Sequence, residues 1–136
     1  MLLALDTATP LVTVALHDGR DVVVELVSEQ PMRHGEQLAP LVQQALDEAG
    51  VGRSALTAVA AGVGPGPFTG LRVGLVTART LAWSLGLPVH GVCTLDVLAV
   101  EAVATGVLPA GTQCFAVATS AGRSTTGPSR RAPVAS

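Results

Sequence analysis

Residues 62–74 of this chain read Gly-Val-Gly-Pro-Gly-Pro-Phe-Thr-Gly-Leu-Arg-Val-Gly, and few folds accommodate such a run. The apolar segment 56–61 ahead of it predicts a buried strand, the Gly/Pro cluster a tight turn, and Phe68 the start of a long apolar helix. That helix runs to about residue 85, where Gly86 and then Pro88 stop it. A glycine-rich strand-to-helix turn turns backbone N–H groups outward at a positively polarised helix end, which favours anions. It is also a common connection in any α/β protein.

The neighbouring residues weigh against a phosphate cradle. No lysine follows the glycines, as a P-loop requires, and the G-x-G-x-G spacing is not the dinucleotide fingerprint. Pro65 and Pro67 remove two of the N–H donors that an anion would use. The helix is more informative. Gly70, Gly74, Ala78 and Ala82 recur every four residues as one ridge of small side chains. Glycine costs about 1 kcal/mol against alanine inside a helix, so two on one stripe call for close approach of another backbone. The opposite side, with Val73, Val76, Thr80 and Trp83, is also apolar, which predicts a helix covered on both sides. One side covers the sheet. The other is left for a partner, or for neighbouring helices of the same chain.

The rest of the chain completes an α/β pattern. Segments 1–6, 11–17 and 21–27 read as strands, with Asp18-Gly19 as a two-residue hairpin signal and the third strand, carrying Asp21 and Glu25, at the sheet edge. A helix starts near residues 36–39, with Leu38, Leu41, Val42, Ala45, Leu46 and Ala49 on its apolar face and Pro40 confined to its first turn. After the central helix come a short strand at 89–93 and a helix N-capped by Thr94, with Leu95, Leu98, Ala99, Ala102 and Val103 on one face. The order is β-β-β-α-β-α-β-α with a further strand at 113–118: a single α/β domain, residues 1–118, with a mixed sheet and helices on it. Residues 119–136 hold seven Ser/Thr, three Arg, two Gly and two Pro, a composition that predicts disorder.

Composition narrows the function. The chain is 49% apolar, yet only Phe68, Trp83 and Phe115 are aromatic, so the core is built from Leu, Val and Ala. Three of the eight arginines sit in the tail, leaving five against ten acidic residues in 1–118. No basic stripe for phosphates is visible, which argues against direct nucleic-acid binding. Cys93 and Cys114 form no C-x-x-C, so neither zinc nor a redox motif is indicated. Asp6 interrupts the first apolar run and no segment reaches the roughly 20 residues of a membrane span, so the expectation is a cytoplasmic protein without a membrane partner. Asp6-Thr7 reads either as a phosphate- or metal-facing pair or, preferably, as a polar turn closing a hairpin. His34 lacks a metal ligand four residues on, where Leu38 stands, and no Ser/His/Asp or Cys/His arrangement supports proteolysis.

Three motifs together resemble the bacterial TsaB (YeaZ) family: Leu5-Asp6-Thr7-Ala8-Thr9, Arg33-His34-Gly35-Glu36-Gln37-Leu38-Ala39-Pro40, and Gly64-Pro65-Gly66-Pro67-Phe68-Thr69-Gly70-Leu71-Arg72-Val73-Gly74. Gly91-Val92-Cys93-Thr94-Leu95-Asp96 is similar to that family's next strand–helix junction, so the resemblance spans 1–118. It implies an actin/sugar-kinase-like (ASKHA) N-terminal lobe. It also implies a non-catalytic scaffold subunit of the complex that makes N6-threonylcarbamoyladenosine in tRNA. The partners implied are a TsaD-type catalytic subunit, a TsaE-type ATPase, a second copy in a homodimer, and tRNA only through the complex.

On the resemblance, the partner interface falls on the first two helices, here Leu41 and Ala45 on one and Phe68, Gly70, Leu71, Gly74, Ala78 and Ala82 on the other. Asp6, Thr7, Gly64 and Gly66 become a vestigial nucleotide-facing set, with no cofactor or metal bound by this chain alone and ATP used in the assembled complex. Two departures stand out. Pro67 replaces the usual Ser, and the family's second lobe does not continue past about residue 120, which suggests a frameshifted or truncated second lobe. The competing expectations are an ASKHA-type nucleotide-binding phosphotransferase or ATPase, and a non-functional fragment.

Overall fold

Three antiparallel strands open the chain: β1 (Leu2–Asp6), β2 (Thr13–His17) and β3 (Val22–Val27). The computed structural model describes residues 1–109 and 111, so the strand expected at 113–118 and the tail lie outside the described residues. The Asp18 carboxylate closes the β2–β3 turn by accepting the backbone N–H groups of Arg20 at 2.7 Å and Asp21 at 2.8 Å. The hydrogen bonds from Asp21 and Arg20 hold its pKa below the ordinary carboxylate value.

After helix α1 (His34–Glu48) come β4 (Ala58–Gly62), helix α2 (Phe68–Leu85), β5 (Val89–Val92) and helix α3 (Thr94–Ala104). The sheet order is β3-β2-β1-β4-β5, with β4 and β5 parallel to β1, so β3 lies at the edge expected of it and β5 forms the other. Strand alternation sends Leu3 and Leu5, Val14 and Leu16, and Val59 and Ala61 to one face, where Leu38, Val42, Ala45 and Leu46 of α1 and Ala78 and Ala82 of α2 cover them. The other face carries Ala4, Ala15 and Ala60 in cross-strand register and is only half-buried. Gly50 after α1 and Gly86 after α2 take positive φ of 67° and 66°, and Leu87 N–H reaches back to the Ala82 carbonyl at 2.8 Å, which closes α2.

Two local expectations are corrected. Helix α1 begins at His34, which places Pro40 beyond the first turn. The helix survives because Glu36, whose carbonyl loses the Pro40 N–H, and Pro40 itself both face solvent, where water replaces the bond. Thr94 is not the N-cap of α3. Cys93 holds that place without a side-chain cap, and the Thr94 hydroxyl is engaged elsewhere. Of α3 only Thr94 is buried.

Candidate functional site

Strand alternation puts the last two polar residues of the β1 segment on opposite faces of the sheet. Thr7 points toward α2 and is buried at 1% exposure. Its hydroxyl donates to the Gly70 carbonyl at 2.7 Å and accepts the Gly74 N–H at 3.1 Å. Those two groups are an i, i+4 pair of the α2 ladder, so the side chain bridges one rung of the helix. A Cβ on Gly74 would overlap the Thr7 side chain, and one on Gly70 would lie 2.6 Å from the Thr7 carbonyl oxygen. This is why the ridge is glycine at these two positions.

Asp6 serves the other face. Its carboxylate accepts the Ala8 N–H at 2.7 Å and the Thr94 hydroxyl at 2.8 Å. Thr94 in turn accepts the Gly64 N–H at 3.2 Å and donates its own N–H to the Gly64 carbonyl at 2.9 Å. A Cβ on Gly62 would overlap the Asp6 carboxyl, and one on Gly66 would strike Ala8. The four residues expected to face a nucleotide, Asp6, Thr7, Gly64 and Gly66, are therefore brought together. The polar groups of Asp6, Thr7 and Gly64 are spent on Ala8, on Thr94 and on α2. Where a phosphate would look for N–H donors it meets a carboxylate and two prolines.

The small-residue ridge needs a correction. Gly70, Gly74, Ala78 and Ala82 are all buried against the chain's own strands, as is Ala45 at 0% exposure, so they are not surface groups. Leu41 and Leu71 are half-buried. The outward stripe of α2 is instead Phe68 at 77%, Val76 at 56% and Trp83 at 86% exposure, with Arg72 and Arg79 between them. The sequence shows both stripes as apolar. It does not show which one the sheet takes, because alanine and glycine give no hydrophobic contrast against valine and tryptophan. The G-x-x-x-G spacing signals a close approach. Thr7 as the approaching group, and Thr94 as the partner of Asp6, carry no local signature.

Elsewhere, a pocket of about 190 Å³ lies between the start of α1 and α2, lined by Met32, Arg33, His34, Glu36, Thr69 and Val73 among others. His34 is buried and its Nε2–H donates to the Thr9 carbonyl at 2.7 Å. The pocket is smaller than the roughly 300–1,000 Å³ of small-molecule sites. Among the described residues no group of three or more His, Cys, Asp or Glu gathers as a metal site would need, and no helix is long and apolar enough to cross a membrane.

The family profile described as TsaD, tRNA N6-adenosine threonylcarbamoyltransferase, matches residues 22–126. An uncharacterized protein of Mycobacterium tuberculosis is 47% identical over 98 residues, which are 71% of this chain and 46% of that protein. The Escherichia coli tRNA threonylcarbamoyladenosine biosynthesis protein TsaB is 41% identical over 100 residues, 72% of this chain and 42% of its own. Among solved structures, YeaZ from Pseudomonas aeruginosa superposes with a TM-score of 0.71 at 44% identity, over 76% of this chain and 48% of YeaZ. The chain thus spans about half the length of these relatives. With its five-stranded mixed sheet, its α1–α2 layer and the Asp6-Thr7 and Gly64–Gly74 segments all in place, this chain belongs to the TsaB (YeaZ) family and corresponds to its N-terminal part.

Proposed function

We propose that this chain acts in tRNA threonylcarbamoyladenosine biosynthesis in the cytoplasm, as a non-catalytic scaffold that binds a TsaD-type catalytic subunit through the outer faces of α1 and α2. One observation carries the reading. The outer stripe of α2 exposes Phe68, Val76 and Trp83 on a helix whose inner ridge is fixed to β1 by Thr7. Large exposed apolar side chains on a rigid element are what a protein partner seats on. A second copy of the chain and a TsaE-type ATPase join the same assembly on this reading. ATP and tRNA are handled by the complex and not by this chain. The Escherichia coli relative's assignment to threonylcarbamoyladenosine biosynthesis supports the reading.

The nucleotide-binding reading is disfavoured because Asp6 and Gly64 are already hydrogen-bonded to Thr94. Co-purification of the chain with a TsaD-type subunit, with and without Trp83→Ala, tests the proposal. Turnover of ATP by the purified chain alone would count against the scaffold role.

A further inference from the structure

The outer faces of α1 and α2 carry opposite charge. On α1 the solvent side holds Glu36, Asp47 and Glu48, and the helix contains no Lys or Arg. On α2 it holds Phe68, Arg72, Val76, Arg79 and Trp83, and the helix contains no Asp or Glu. The helices pack against each other on one side of the sheet, so the outer face of α1, with its acidic residues, adjoins the basic, aromatic stripe of α2. Asp47 and Glu48 accept the side-chain amides of Gln43 at 2.9 Å and Gln44 at 2.8 Å, and the Arg53 guanidinium reaches no nearer than the Gln43 side-chain carbonyl, at 3.2 Å. Among the described residues neither Arg72 nor Arg79 has a carboxylate within ion-pair distance; the ion pair formed there is Arg33–Glu36 at 3.5 Å.

We infer that the protein seated on this face, on the reading proposed above, presents the reverse pattern: an apolar seam with carboxylates against Arg72 and Arg79, and basic side chains against Asp47 and Glu48. Arg72 lies four residues after Phe68 and four before Val76, and Arg79 four before Trp83, so each guanidinium sits beside an apolar side chain on one helical face. Any partner that covers Phe68, Val76 and Trp83 also removes water from those arginines. A buried charge left without a partner is strongly unfavourable, so a purely apolar surface is rejected and an acidic, apolar one is selected. Arginine beside aromatic residues also suits single-stranded nucleic acid. Here a phosphate backbone on α2 would run against the carboxylates of α1 alongside it, which favours protein.

The test is the affinity of the full chain for the purified TsaD-type subunit, measured by titration calorimetry at low and high NaCl, at concentrations where light scattering shows the chain to be monomeric. Reversing both charges (Arg72→Glu with Arg79→Glu) is expected to weaken binding about tenfold or more at low salt, with a smaller effect at high salt. The charge-keeping pair Arg72→Lys with Arg79→Lys is expected to stay within about threefold of the parent, and circular dichroism to stay unchanged, since both side chains are exposed. If charge reversal leaves the affinity intact while Trp83→Ala lowers it, the charge pattern is wrong and the face stands. If the complex forms and neither change weakens it, or no complex forms, the face itself is wrong. If reversal abolishes binding of tRNA to the chain but spares the protein complex, the stripe serves nucleic acid and the inference falls.

Discussion

The hydroxyl of Thr7 lies 3.1 Å from the Gly74 nitrogen and 2.7 Å from the Gly70 carbonyl oxygen, so one side chain of the β1 segment bridges a rung of helix α2 from 63 and 67 residues away in sequence. That contact sets how close α2 lies to the sheet and therefore which stripe of α2 remains outside. It predicts that Gly74→Ala destabilises the protein even though alanine gains about 1 kcal/mol of helix propensity over glycine. The added methyl overlaps Thr7, and the helix must shift. Chemical denaturation checks this. Combining Gly74→Ala with Thr7→Ala should recover part of the loss, because the truncated side chain makes room.

Thr94→Val removes the hydroxyl that donates to Asp6 and accepts from Gly64. Valine matches the shape, so packing is kept and the expected cost is that of the orphaned polar groups, about 1–3 kcal/mol. The denaturation midpoint should fall without a change in slope. A wild-type midpoint in this variant would mean the link between α3 and the turn contributes nothing.

The Asp18 turn gives a pH prediction. Hydrogen bonds from the Asp21 and Arg20 N–H groups lower the folded pKa, so ionised Asp18 favours the folded state. Its contribution is present above the unfolded value of about 3.9 and is lost as pH falls through the lower folded value. Asp18→Ala should therefore destabilise at pH 7, and its difference from the parent should shrink below about pH 4. A difference that stays constant with pH would contradict the assignment. Because the carboxylate is fully exposed, the effect is small and salt-sensitive.

The extent to which this fold and site can be read in the residues follows the range of the interactions involved. Strand alternation and the Gly86 helix stop are local and stand where periodicity and turn chemistry put them, whereas the turn expected on Asp18-Gly19 takes in residues 18–21, because the Asp18 N–H bonds to the Asp21 carbonyl and His17 pairs with Val22. Helix α1 starts at His34, ahead of the expected 36–39, and tolerates Pro40 in its interior because Pro40 and Glu36 both face solvent. The orientation of α2 was not legible, since it depends on which stripe Thr7 grips from far away in sequence. The same holds for Asp6 and Thr94, which are 88 residues apart. The family's motifs mark these residues, and the geometry supplies their roles.

The most direct measurement of the central claim compares the affinity of the TsaD-type subunit for the parent chain with that for Trp83→Ala and for Val100→Ala. Trp83 is 86% exposed on α2 and Val100 69% exposed on α3, so neither change disturbs the core. If the outer face of α2 is the partner surface, Trp83→Ala weakens the complex by about tenfold or more, the size expected for an anchoring tryptophan, while Val100→Ala leaves it within about twofold. Equal affinities for the parent chain and Trp83→Ala, or a loss confined to Val100→Ala, would place the partner elsewhere and contradict the account.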